Sequence, residues 1–240
     1  MDNLLIFVPV SREQRIKEVI NDINNLEIPD FNIEVLLLID DIRIPRLETK
    51  YKTKLLYTGN YTMSEWDIYK RRIRIAENFN KASEWIKQQN KFDLMFVFED
   101  DCEIKPYTFG KLYESYKEKN LMLEKLGFVS GVQCGRWGEK MLGVWEQDGD
   151  NMQTLKLKEG VHHVTACGFY GFIIKPELFT LNKFRSGFFG PDVYFGIDLD
   201  FEGYSNYCNM DIKIGHKLND GGVIYPTGKE KQLIFKIEVL

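Results

Sequence analysis

Three acids in a row, Glu99, Asp100 and Asp101, stand at the end of an unbroken apolar run from Leu94 to Phe98. A run of that length, with aromatic and β-branched members, predicts a strand covered on both faces, as in the middle of a parallel sheet. Carboxylates crowded at the carboxyl end of such a strand repel one another, and a divalent cation that prefers hard oxygen ligands removes the repulsion. Open α/β sheets bind ligands at that same end. A plain turn accounts for the acids equally well, with Pro106 opening the next helix.

A second acidic pair, Asp40 and Asp41, closes the apolar run Ile33 to Ile39. Acids in that position accept hydrogen bonds from a ribose or a base, or simply serve a turn. Beside the apolar stripe Ile75, Phe79, Ala82 and Ile86, the residues Arg74, Asn78 and Lys81 recur at the helical period. Such a basic and amide stripe reaches a diphosphate, since Arg binds phosphate oxygens bidentately; its bland counterpart is a solvated helix face. Further on, Asp198 and Asp200 fall in the first turn of a helix predicted to begin near Asp198, where the helix dipole favours negative charge. A strand over Asp211 to Ile214 then delivers His216 into the Gly-rich stretch 217–222, and His at a strand end is a common metal ligand. His162 and His163 are adjacent in a strand pattern, so they point to opposite faces and cannot both line one site.

The elements that must position these residues read as an α/β alternation. Leu4 to Val10 predicts a first buried strand, and Ser11 with Gln14 a capping box for a helix whose inner face is Ile16, Val19, Ile20, Ile23 and Leu26. The strand at Ile33 to Ile39 completes a right-handed parallel crossover. Lys54 to Tyr57 predicts a short strand, the segment 64–90 a long helix, Pro106 to Lys125 another helix, and Phe128 to Gln133 a strand. From Gly135 to Gly160 the periodicity fails, and the reading is a long loop in which Trp137 and Trp145 either stack on a ligand as a lid or form a local apolar staple. Val161 to Ala166 and Phe169 to Lys175 predict further strands around Cys167 and Gly168.

The 240 residues are enough to bury a substantial core, and 44% hydrophobic with 28% charged residues indicates a soluble globular chain rather than a disordered one. A net charge of -4 argues against a strongly basic nucleic-acid binder. The four cysteines form no CxxC pair, so neither a zinc knuckle nor a disulfide framework is indicated and reduced thiols are expected. The first apolar run is far short of the roughly 20 residues a bilayer span needs, which together with the thiols gives an expected cytoplasmic location.

In order and spacing, these segments resemble the GT-A fold glycosyltransferases, which move a sugar from a nucleotide-sugar donor to an acceptor. The resemblance runs from Leu5 to about Gly222. It implies a single GT-A (Rossmann-like) domain over 1–240, with a mostly parallel central sheet flanked by helices, 1–101 the nucleotide-binding half and 102–240 the acceptor-binding half. It also implies a nucleotide-sugar partner, a UDP-sugar first among them, with a divalent Mn2+ or Mg2+ cofactor. The Pro-containing turn at Pro9, Val10, Ser11 and Arg12 then meets the nucleotide, Asp40 and Asp41 the uracil or ribose, and Arg74 and Asn78 match an R-x-x-N pattern with one extra residue between. Glu99, Asp100 and Asp101 correspond to the D-x-D signature, with Glu99 in place of the first Asp, and Asp101 at the metal position. The stretch Gly196 to Phe201 is similar to G-E-D-x-D-[LF], with Ile197 in place of Glu. It makes Asp198 the catalytic base of an inverting transfer, with Asp200 and Asp192 in reserve, and His216 the residue that completes the metal shell. On the acceptor side the resemblance implies Trp137, Gly168 and Asp192; the acceptor itself stays open among glycan, lipid-linked glycan, protein and a modified nucleic-acid base.

Two other classes compete. A sugar-phosphate nucleotidyltransferase carries a Gly-rich basic loop after the first strand to grip a triphosphate, and VPVSREQR has no glycine. A non-catalytic glycan or nucleotide binding module fits the same fold, because fold does not fix function.

Overall fold

The computed structural model describes residues 1–40, 47–59, 67–135 and 141–236. In chain order the elements are β1 (Asp2–Val10), a 3-10 turn at Glu13–Arg15, α1 (Ile16–Asn25), β2 (Phe31–Ile39), β3 (Lys52–Tyr57), α2 (Ile68–Gln89), β4 (Leu94–Val97), β5 (Cys102–Glu103) and α3 (Thr108–Met122). Then come β6 (Leu126–Val132), β7 (Val144–Asp148), β8 (Asn151–Thr154), β9 (Val161–Val164), β10 (Ala166–Cys167), β11 (Phe172–Ile174) and α4 (Pro176–Phe179). The chain finishes with α5 (Pro191–Phe201), β12 (Ser205–Lys213), β13 (Gly215–Lys217), β14 (Val223–Ile224) and β15 (Ile234–Lys236).

Among the described residues the main sheet has eight strands in the order β3-β2-β1-β4-β11-β6-β12-β9. β11 and β9 run antiparallel to their neighbours and the remaining pairs are parallel, so the sheet is mostly parallel as expected. The two central strands are the two purest apolar runs: Leu4 to Val8 and Met95 to Phe98 have no exposed surface, which is what covering by helices on both faces requires. α1 lays Ile16, Val19, Ile20 and Ile23 on the sheet, and α2 buries Ala76, Phe79, Ala82 and Ile86. Phe7 meets Phe79 and Phe179 edge-on at 5.6 and 5.5 Å, an arrangement favoured by the ring quadrupoles. Strands from both sides of residue 101 share this one sheet.

Small sheets matter more for the site. β13 pairs antiparallel with β5, setting His216 opposite Cys102, and β14 covers its other edge. β10, β7, β8 and β15 form a second small sheet. Part of the expected loop up to Gly160 is therefore the β7–β8 hairpin, turned at Gly149 with φ +55, a left-handed conformation that glycine adopts without steric cost. The four cysteines are free and buried, and burial raises the Cys208 thiol to about 12. No helix among the described residues is long and apolar enough to cross a membrane.

Two local expectations are corrected. Ser11 and Gln14 form no capping box: α1 has no side-chain cap at its start, and the Ser11 amide donates instead to Asp100 Oδ2 at 2.8 Å. The helix expected to begin near Asp198 begins at Pro191, so Asp198 and Asp200 lie in its last turn rather than its first.

Candidate active site

The carboxyl ends of β1, β2 and β4 face one cavity of about 120 Å³ lined by Pro9, Val10, Ser11, Arg12, Leu38, Asp40, Arg71, Ile75, Asn78, Phe79, Glu99, Asp100 and Asp101. Parallel strands ending side by side place their terminal acids together, which is why residues far apart in sequence converge here. Asp40 Oδ1 accepts from Asn78 Nδ2 at 3.1 Å and from Thr58 Oγ1 at 3.3 Å, and Lys81 holds the Thr58 carbonyl. Asp40 is 4% exposed and Asn78 is equally buried, so their mutual hydrogen bond satisfies groups that water barely reaches.

Asp100 ties the turn after β1 to the end of β4. Its Oδ2 accepts from the amides of Ser11 and Arg12 at 2.8 and 3.1 Å, and its Oδ1 is held by Arg12 Nη1. The same Nη1 lies 3.1 Å from Asp101 Oδ2. His216 Nε2 stands 3.7 Å from that Asp101 oxygen, and its Nδ1 is 3.0 Å from the Cys134 carbonyl. The pairing of β13 with β5 explains the meeting, and the Lys217 amide donating to the Asp101 carbonyl at 2.7 Å locks it. With Nδ1 anchored on a carbonyl, the ring turns Nε2 inward, the orientation a metal-ligating imidazole adopts.

A carboxylate oxygen and an imidazole nitrogen are both donors that divalent metal ions accept. No three His, Cys, Asp or Glu side chains among the described residues gather to hold a metal ion. Among the described residues, Asp101 and His216 are the pair of such side chains that come together at this edge of the sheet.

A second cavity, of about 530 Å³, shares Arg71, Ile75 and Glu99 with the first and is walled by Tyr69, Arg72, Trp145, Phe169, Phe188, Phe189 and Asp192 among others. α2 holds this wall: Arg72 Nη1 donates to the carbonyls of Gly187 and Phe188, and Asn80 exchanges hydrogen bonds with the Phe184 backbone at 3.0 and 2.8 Å. Asp192 sits in the first turn of α5 after Pro191. Gly190 makes room for its carboxylate, since a Cβ there would stand 2.4 Å from Oδ1. Burial raises the Asp192 pKa, with backbone amides and Arg72 pulling the other way.

The remaining expected residues fall elsewhere. Arg71 lines the cavity in place of Arg74, one helical turn away; burial first, then the charge of Arg12, lowers its pKa. Asp198 pairs with Arg185 at 2.7 Å and borders a shallow depression with Asn182, Lys183, Phe201 and Glu202. Asp200 lines a third cavity with His163, Arg185 and Tyr194. Neither is brought to Asp101 and His216. Asp41 and Trp137 lie outside the described residues, whereas Trp145 is buried against Met152, Ala166 and Val193 with an edge on the second cavity. Gly190 and the Phe188–Phe189 wall are not among the expected residues, and Arg71, which the sequence reads as part of a solvated helix face, lines the cavity; it stands four residues before Ile75 and seven before Asn78 on one helix face.

No protein-family model matches the chain, and no curated protein matches it by sequence. Solved structures do. A197 from STIV aligns at a TM-score of 0.52 with 16% identity, over 95% of this chain and 96% of that one. The mannosyltransferase PcManGT from Pyrobaculum calidifontis, in complex with GDP-Man and Mn2+, aligns at 0.54 with 14% identity over 88% of this chain and 55% of that one. S. aureus TarS 1-349, in complex with UDP-GlcNAc, aligns at 0.54 with 14% identity over 95% of this chain and 59% of that one. This chain thus spans nearly the whole of A197 but little more than half of the two transferase chains. At these identities the likeness establishes architecture, and the chain has the GT-A-type glycosyltransferase fold.

Proposed function

We propose that this protein transfers a glycosyl group from a nucleoside-diphosphate sugar to an acceptor hydroxyl. The observation that carries the reading is the convergence of Asp40, Asp100 and Asp101 with Arg12, Arg71 and Asn78 in one cavity, with His216 alongside Asp101. The nucleoside lies against Pro9, Val10, Asp40 and Asn78, and its diphosphate extends toward the guanidinium groups and Asp101. That structural neighbours were solved in complex with GDP-Man and Mn2+ and with UDP-GlcNAc supports a nucleotide-sugar donor.

Asp101 and His216 would hold a divalent cation, which would supply Lewis-acid stabilisation of the charge that develops on the leaving diphosphate. Arg71 adds donors for the phosphate oxygens. The sugar occupies the second cavity beside Trp145 and Phe189, and the acceptor hydroxyl approaches across Asp192. Asp192, rather than Asp198, takes the acceptor's proton as the new C–O bond forms and the bond to the diphosphate breaks. Its position in the wall of the second cavity supports this assignment, as does a pKa raised by burial, which makes its carboxylate a better proton acceptor than an exposed aspartate. Attack from the face opposite the diphosphate inverts the anomeric centre.

The test is release of nucleoside diphosphate from a panel of UDP- and GDP-sugars in the presence of Mn2+. Turnover of at least one donor supports the reading. Release of pyrophosphate from a nucleoside triphosphate, with every nucleotide sugar left intact, would instead identify a nucleotidyltransferase.

A further inference from the structure

We propose that Arg12 is a resident counter-cation: it fills the place beside Asp101 that a metal ion needs and gives it up only to a donor diphosphate, so that metal and donor enter together. This rests on the donor-site reading above and adds a positioning role for a residue of the first turn.

The geometry is specific. Arg12 Nη1 holds Asp100 Oδ1 and lies 3.1 Å from Asp101 Oδ2, the same oxygen that His216 Nε2 approaches to 3.7 Å. The Asp101 oxygen that His216 approaches, and that a cation between the two side chains would meet first, is the one that the guanidinium already claims. Two positive charges that close in a poorly solvated cavity repel strongly, and Arg12 is 6% exposed. One of the two has to leave. The backbone can stay in place while the side chain swings, because the Arg12 amide is separately anchored on Asp100 Oδ2 at 3.1 Å. Arg12 Nε has no hydrogen-bond partner among the described residues, so the guanidinium is incompletely satisfied where it lies.

A diphosphate gives it a better place. The planar fork of Arg matches phosphate oxygens bidentately. Arg71 lines the same cavity and carries the electrostatic imprint of Arg12 in its lowered pKa, so an anion between the two guanidinium groups relieves their repulsion. Without that anion the divalent ion faces Arg12 and binds weakly. With it, Arg12 moves onto phosphate and Asp101 Oδ2 turns to the metal. The coupling is reciprocal: whatever factor the nucleotide adds to metal affinity, the metal adds to nucleotide affinity.

The experiment titrates the whole chain with Mn2+, following free Mn2+ by electron paramagnetic resonance, alone and with saturating UDP or GDP. Removing the competing charge with Arg12→Gln is expected to tighten Mn2+ binding without nucleotide by about tenfold or more, the scale of a modest change in local electrostatic energy. Arg12→Lys, which keeps a cation, is expected to stay close to wild type. A measurement on the wild-type chain needs no variant: the Arg12 Nε–H resonance should be unmoved by Mg2+ alone and shift when Mg2+ and the nucleotide are added together. If Arg12→Gln binds Mn2+ alone no more tightly than wild type, or Mg2+ alone moves the resonance, the role of Arg12 is overturned and the donor-site reading stands. If no form binds Mn2+ even with UDP or GDP, both are overturned.

Discussion

Asn78, on the buried face of α2, donates from Nδ2 to Asp40 Oδ1 over 3.1 Å and thereby fixes the acid that ends β2. The bond joins helix to sheet in the floor of the candidate donor cavity, so it bears on both folding and binding. Replacing Asn78 with Ala removes a buried donor and leaves Asp40 less well satisfied. The expected loss is about 1–3 kcal/mol of stability in urea unfolding, the usual penalty for disrupting a buried polar pair. Nucleotide affinity should fall with it.

Asp192 and Asp198 make a decisive pair of variants because they occupy one helix but face different surroundings. Asp192→Asn should lower kcat by roughly 10²–10⁴-fold, the range attributed to a general base, with the donor KM unchanged. Asp198→Asn should leave most of the turnover and disturb only the pairing with Arg185, which is partly exposed and contributes about 1 kcal/mol or less. Steady-state kinetics that reverse this order would restore the base role to Asp198.

The pH dependence has a definite sign. Burial raises the Asp192 pKa above the 3.8 of an ordinary aspartate, so the folded chain holds this proton to higher pH than the unfolded chain does. Between the two values the native state binds more protons, and stability therefore falls as pH rises through the window. Asp192→Asn abolishes that contribution: it should be at least as stable as wild type at neutral pH, with its advantage shrinking as pH falls. The acidic limb of the rate profile, which requires the deprotonated base, should likewise lie above the ordinary aspartate range. Thermal unfolding at stepped pH and a rate profile check the two halves.

Gly196, the first residue of the acidic motif, has a packing role. A Cβ there would stand 2.6 Å from the Cα of Ala166 and 2.7 Å from the Thr165 carbonyl, where α5 presses on β10. Asn206 Nδ2 bridges the two segments by donating to the carbonyls of Thr165 and Gly196 at 3.0 and 3.1 Å. Gly196→Ala should destabilise the protein by about 1–3 kcal/mol, as overpacking does, measured by denaturant unfolding.

The parts of the fold that were legible are those where one physical signal dominates. Apolar runs such as Leu4 to Val10 announce central strands, and the acids behind them announce the edge of the sheet that carries the first cavity. The parts that were not legible are set by tertiary context. α5 begins at Pro191 rather than near Asp198: a proline there reads as the opening of a short turn but fits the first position of a helix equally well, and Gly196 weakens the helix signal between the two. That shift of one element carried Asp198 from the helix start to its end and away from the cavity. Arg71 and Arg74 differ by about one turn on the same helix, a distinction that needs the orientation of α2 against the sheet and not its periodicity alone. β7 and β8 are too short to show a period; they exist because β10 and β15 pair with them from distant parts of the chain. The meeting of His216 with Asp101 depends likewise on a two-residue strand, β5, that no pattern reveals.

Calorimetric titration of UDP and GDP in the presence of Mn2+, into wild-type protein and into Asp101→Ala, tests the donor site most directly. Wild type should bind at least one of the two nucleotides, and the metal-dependent part of that affinity should vanish in Asp101→Ala while the variant keeps its cooperative unfolding transition. Binding of equal strength in both proteins, or of neither nucleotide to wild type, would contradict the account.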